Sequence, residues 1–171
     1  MLTNERKTQI EKITTDLLNR YNYIDDMVDI ANIVRQQGYE VFVDDDLENN
    51  ISGFVDHENK EVVLNANETP ERRRFTLAHE LGHIILNADS GQIQHRDNIT
   101  NSQLDIYASE PNEVEANYFA GCILMPRNVF IREFNKIKQD ISVKTQLLAY
   151  YFGVSQLAVY VRANILNLIG I

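Results

Sequence analysis

With a single cysteine, Cys122, in 171 residues, the chain can form no internal disulfide. Cys122 lies in the apolar run Phe119, Ala120, Cys122, Ile123, Leu124 and reads as a small core residue. Proline and glycine are scarce, three and seven, which excludes collagen-like and low-complexity classes. No repeat recurs at solenoid spacing. No apolar run approaches the ~20 residues that a membrane-spanning helix needs. The opening stretch MLTNERKTQIEKITTDLL is amphipathic and charged, and lacks the apolar heart of a signal peptide. A cytoplasmic location is expected.

Basic charge is also in short supply, with 16 Lys and Arg against 25 Asp and Glu and a net charge of −9. Such a chain repels a phosphate backbone unless its basic residues cluster. The densest cluster is Arg72-Arg73-Arg74, in the opening turns of an expected helix. Direct nucleic-acid binding is therefore not expected, and a basic protein partner suits the charge better.

What is present is an ordinary globular composition, 44% hydrophobic and 24% charged, at a length that suits one well-packed domain. The expected domain spans 1–171: an N-terminal helix over 1–24, a core over 25–126, and a helical segment over 127–171. Helical spacing of Ile10, Ile13, Leu17, Leu18 and Tyr21 marks a helix over 3–21 with Thr3 or Asn4 as cap. A second helix fits 26–37, where Met27, Ile30, Ala31 and Val34 share a face and Gly38 gives the stop.

Tyr39 to Val43 alternates as a strand should, and Ile51 to Val55 and Glu61 to Leu64 form a hairpin around the polar turn Asp56–Lys60. Thr69-Pro70-Glu71 starts a helix that runs to about Leu86. Residues 88–109 read as a long loop. A helix from Pro111 ends near Met125-Pro126, and further helices fit 127–138, 143–152 and 156–168. The predicted class is α+β, with helices around a small three-stranded sheet and a helical C-terminal segment.

The strongest chemical signal is His79-Glu80-Leu81-Gly82-His83. Residues four apart on a helix share a face, so both imidazoles can reach one metal ion. Glu80 is turned away from that pair yet stays close enough to act as general base toward water. Phe75, Leu77, Ala78, Leu81, Ile84, Ile85 and Leu86 bury the same helix. Two neutral imidazoles and a carboxylate suit zinc at roughly 2.0–2.2 Å, and one zinc ion per chain is expected, with manganese and iron less favoured by that ligand set. A third ligand is required. Glu113 on the following helix is the candidate, with Asn117 one turn on placed to accept a hydrogen bond from a ligand imidazole. Ala116 and Ala120 leave room for the two helices to approach. His95 and Asp105 in the loop are rival ligands, whereas Glu115 points elsewhere and should be solvated or ion-paired.

Three segments together resemble the ImmA/IrrE metallopeptidases. They are Arg74-Phe75-Thr76-Leu77-Ala78-His79-Glu80-Leu81-Gly82-His83, then Glu113-Val114-Glu115-Ala116-Asn117-Tyr118-Phe119-Ala120, then Leu124-Met125-Pro126. A looser match covers Leu148-Ala149, Phe152-Gly153-Val154-Ser155 and Arg162, and the likeness runs from about residue 25 onward. The resemblance implies a zincin-like minimal peptidase fold and a gluzincin-like site with His79, His83 and Glu113 on zinc and Glu80 as base. It further implies a specific protein substrate, namely a helix-turn-helix repressor of a phage, mobile element or stress response. Some relatives carry a sensory domain after the peptidase part; the chain ends at Ile171, so regulation by one is not expected.

An exposed edge of the Ile51–Leu64 hairpin could pair with an extended substrate. Tyr107, Tyr151 and Arg162 are candidates for steadying the oxyanion, although residues of these types in such helices usually serve the core or its rim. Leu147 to Leu168 has a helix-turn-helix look, but its second helix carries only Arg162 as a basic residue, so packing or partner docking is expected in place of DNA contact. His57, in the hairpin turn, reads as solvated. The competing function is a peptidase-like binding module, or toxin–antitoxin-type partner, that controls a regulator by contact without hydrolysis.

Overall fold

The computed structural model describes residues 2–23, 27–86 and 111–170. The expected loop over 88–109, with His95, Asp105 and Tyr107, lies outside them.

Helix α1, Asn4–Arg20, is capped by Thr3, whose hydroxyl accepts from the Arg6 amide at 3.2 Å. It buries Ile10, Thr14, Leu17 and Leu18, one stripe of a 3.6-residue period. Helix α2, Ile30–Gln36, is shorter than its periodicity suggests. Asp29 accepts from the Asn32 amide at 2.9 Å and so fixes the start, which leaves Met27, expected on the buried face, 56% exposed.

Strands β1 (Glu40–Asp44), β2 (Gly53–Asp56) and β3 (Glu61–Asn65) form one sheet in the order β1-β3-β2. The expected hairpin is present, with β2 antiparallel to β3 and Gly53 opposite Leu64. The first strand joins the other side of β3 in parallel, Glu40 opposite Glu61. β3 is therefore central, and β1 and β2 are the edges.

Helix α3, Pro70–Leu86, lies across this sheet and buries Phe75 through Ile84 without a break. The three arginines of its first turns are used within the fold. Arg72 pairs with Glu68 at 2.7 Å, Arg73 donates to the Ala66 carbonyl at 3.0 Å, and Arg74 donates to the Phe152 carbonyl at 3.3 Å. Helix α4, Pro111–Leu124, packs along α3 and brings the apolar run Phe119–Leu124, Cys122 included, into the core.

Helices α5 (Arg127–Lys136), α6 (Ile141–Phe152) and α7 (Gln156–Ile165) close the described chain. Asp140 starts α6 two residues ahead of the expected point by accepting from the Val143 amide at 3.1 Å. Gly153, at φ +63°, ends it in the left-handed conformation that glycine adopts at little cost, and Ser155 caps α7. Phe130 stacks on Phe134 and Phe152, with ring centroids 6.1 and 5.6 Å away, and so ties α5 to α6. The architecture is α+β, as expected, with a helical C-terminal part. Among the described residues no helix is long and apolar enough to cross a membrane.

Candidate metal centre

His79 and His83 occupy successive turns of α3 on its buried side, 0% and 3% exposed. Their Nε2 atoms stand 2.9 Å apart. From α4, Glu113 reaches both, with Oε2 3.2 Å from His79 Nε2 and Oε1 3.1 Å from His83 Nε2. Three potential ligand atoms thus face a common point. Ligands about 2.0–2.1 Å from a tetrahedral centre stand roughly 3.3–3.4 Å apart, close to these separations.

The protonation pattern agrees. Asn117 Oδ1 lies 2.7 Å from His79 Nδ1, and an amide oxygen only accepts. Nδ1 therefore carries a proton, and Nε2 is the ring atom that faces His83 and Glu113. Burial by itself would raise the Glu113 pKa, but the hydrogen bonds and charges of the two imidazoles outweigh it and hold the carboxyl far below the usual range. A carboxylate and two imidazole nitrogens gathered at one point fit a divalent cation of the zinc type, whose binding would displace the ring protons that now face the carboxylate.

The approach of α3 to α4 rests on Gly82 as much as on Ala116. A Cβ on Gly82 would lie 3.1 Å from Ala116 Cα and 3.2 Å from a ring carbon of Phe119. From the sequence, Ala116 and Ala120 of α4 are the expected source of that close approach. The clue to Gly82 is its place inside a helix, where glycine costs about 1 kcal/mol against alanine and a packing reason is to be sought.

The remaining candidates separate. Glu80 is buried at 1% exposure within the same turn as the imidazoles. Glu115 pairs with Arg6 of α1, Nε to Oε1 2.8 Å, as an ion pair away from the centre. Arg162 does not serve the site. It is 2% exposed, donates to the Met125 carbonyl at 3.1 Å, and meets Glu11 at 3.4 Å and Cys122 Sγ at 3.4 Å. Tyr151 sits edge-on to Phe152, centroids 4.8 Å apart, at the rim of the core.

The solvated reading of His57 is corrected. Its ring is half-buried and its Nδ1 lies 2.7 Å from the hydroxyl of buried Tyr39. The reason is the turn, where Asp56 accepts from the Glu58 and Asn59 amides at 2.9 and 3.0 Å and curls the hairpin tip back over Tyr39.

Residues 34–164 match the family model Peptidase_M78, the IrrE N-terminal-like domain. The chain belongs to this family. The likeness that the motifs carry is thereby shown over most of the chain. Among individual proteins, it is 40% identical over 81 residues to the radiation response metalloprotease IrrE of Deinococcus radiodurans, a stretch covering 45% of this chain and 23% of that one. Among solved structures, a Mycobacterium tuberculosis transcriptional regulator superposes with a TM-score of 0.66 at 21% identity, over 89% of this chain and 45% of that one. At that identity the likeness is one of fold. The chain spans less than half the length of either relative, so what it shares with them is the Peptidase_M78 domain.

Proposed function

We propose that this Peptidase_M78 chain is a zinc-dependent endopeptidase with a specific protein substrate. The observation that carries the proposal is the convergence of His79 Nε2, His83 Nε2 and a Glu113 carboxylate within 2.9–3.2 Å of one another. His79, His83 and Glu113 would hold the ion. A zinc ion there supplies Lewis acidity, polarising a peptide carbonyl and making water acidic enough to yield its proton near neutrality.

The chain's own residues do the rest. Glu80, next in sequence to one ligand, takes the proton from the attacking water and delivers it to the leaving amine. Asn117 holds the His79 ring so that its lone pair stays aimed at the centre. The edge position of β2 supports an extended substrate segment that adds to the sheet beside α3. A helix-turn-helix repressor as substrate rests on the family resemblance together with the acidic surface charge.

The test compares wild type with Glu80→Gln on a helix-turn-helix repressor co-expressed with it. Cleavage of the repressor by wild type, and its loss by a factor of 10² or more in the variant, is the expected result. Equal relief of repression by both proteins with the repressor intact would sink the peptidase reading and favour control by contact.

A further inference from the structure

The reaction proposed above requires a group that steadies the carbonyl oxygen as it gains charge, and none of the metal-facing residues is free to do so. The hairpin tip offers one. Ser52, just ahead of β2, meets Arg72 of α3, Oγ to Nη2 3.2 Å. One residue on, a Cβ at Gly53 would touch Thr76 Cγ2 at 2.9 Å. β2 therefore advances along α3 in the direction of the helix. On the face that Gly53 turns to α3, the next alternate residue is Val55, which is buried; the strand ends at Asp56 and His57 opens the turn.

From Gly53 to Asp56 strand β2 advances about 10 Å, against ~1.5 Å per residue of helix, so the turn that opens with His57 lies along α3 in the direction of His79, Glu80 and His83. Burial is the main influence on the His57 pKa, and lesser ones from His83 and Glu80 of α3 also reach the ring.

The ring's protonation is set by its neighbours. Lys60 Nζ lies 3.2 Å from the Tyr39 hydroxyl and 4.7 Å from the centre of its ring. An ammonium only donates. Of the two groups at hydrogen-bond distance from that hydroxyl, Nδ1 of His57 alone can accept its proton. The relay runs one way: Lys60 donates to Tyr39, Tyr39 donates to His57 Nδ1, and His57 is left with its proton on Nε2. Burial first, then Lys60, push the His57 pKa below the usual histidine value.

We propose that His57, locked by Tyr39 and Lys60 as the Nε2–H tautomer, donates a hydrogen bond to the oxygen of the peptide carbonyl under attack. This rests on the peptidase reading and adds a catalytic residue to it from the side of the sheet. Tyr39 and Lys60 are positioning residues that act through His57.

Two measurements test it. Nitrogen-15 NMR of the imidazoles in metal-free protein should show His57 protonated at Nε2 and bare at Nδ1, and Tyr39→Phe should yield a tautomer mixture. A His57 ring protonated at Nδ1 would overturn the proposal. The second measurement is calorimetry of the zinc-loaded protein with a phosphoramidate dipeptide, a tetrahedral anion that mimics the oxygen under attack. His57→Ala should bind it roughly 10- to 100-fold more weakly. His57→Gln, which restores an N–H at similar reach, should recover most of that loss, and zinc affinity should be unchanged in both. Equal binding by wild type and His57→Ala overturns the role of His57 and leaves the peptidase reading standing. Binding that ignores His79→Ala and Glu113→Ala counts against the peptidase reading itself, and the tautomer in metal-free protein still decides the arrangement of His57.

Discussion

The backbones of Gly82 in α3 and Ala116 in α4 approach so closely that a methyl group on Gly82 would lie 3.1 Å from Ala116 Cα. That contact sets how near Glu113 comes to the two imidazoles. Gly82→Ala gains about 1 kcal/mol of helix propensity. It also forces a methyl against main-chain atoms that cannot swing aside, at ~1–3 kcal/mol. The expected net is a loss of about 1 kcal/mol in thermal unfolding of the metal-free protein, with zinc affinity lowered about tenfold as Glu113 retreats. A variant that binds zinc as wild type does would show that the contact does not set the site.

Asn117 touches no metal in this arrangement, yet it decides which nitrogen of His79 bears the proton. Asn117→Ala should weaken zinc binding by roughly 10–100-fold, read by competition with a chromophoric chelator. Asn117→Asp keeps an acceptor oxygen and should lose less.

Zinc should stabilise the fold, because the ligands proposed for it come from two helices that unfolding separates. At a free zinc concentration of about a hundred times Kd, the gain is ~2.7 kcal/mol. That corresponds to a rise in Tm of about 5–10 °C for a chain of this size. Chelation should reverse it. In Glu113→Gln the rise should be small at the same zinc concentration, and an undiminished rise would remove Glu113 from the ligand set.

Away from the centre, Glu11 of α1 accepts from Tyr118 at 3.0 Å and faces the buried Arg162 of α7 at 3.4 Å. Among the described residues, Glu11→Ala leaves that guanidinium with neutral partners, the Met125 carbonyl and Cys122. A loss of about 2 kcal/mol in denaturant unfolding is expected, since a buried charge loses its counter-charge. Zinc affinity should hold within a few-fold.

Burial pushes the Cys122 thiol up to about 11, against the opposing pull of Arg162. A raised pKa keeps the group as the unreactive thiol throughout the neutral range, and thiolate appears only as pH nears that value. Iodoacetamide at pH 8 should leave the folded protein unmodified and alkylate it fully in denaturant. Rapid labelling of the native state would contradict the buried placement.

Most local structure was legible because it depends on short-range patterns. The stripe from Ile10 to Leu18, the alternation around Val41 and Val62, and the Thr69-Pro70-Glu71 start each state their element in a few residues. Where boundaries slipped, a cap decided. Asp29 and Asp140 bind amides three residues on and override the hydrophobic pattern that placed Met27 in a helix and Ile141 outside one.

The sequence by itself determined the imidazole pair, because spacing of four on a helix leaves no choice about a shared face, and it narrowed the third ligand to a few acidic or imidazole groups. Only the tertiary structure could bring Glu113 to that pair, through the close passage of α3 and α4 at Gly82. It alone decided that β1 joins β3 in parallel, which sets Tyr39 beside Lys60 and under His57. It also made Arg162, a candidate for steadying the oxyanion, a buried strut between α7, α1 and α4. The reason is common to all three. A contact between residues far apart in the chain is paid for by loop closure and won by packing, and neither leaves a mark on the residues nearby in sequence.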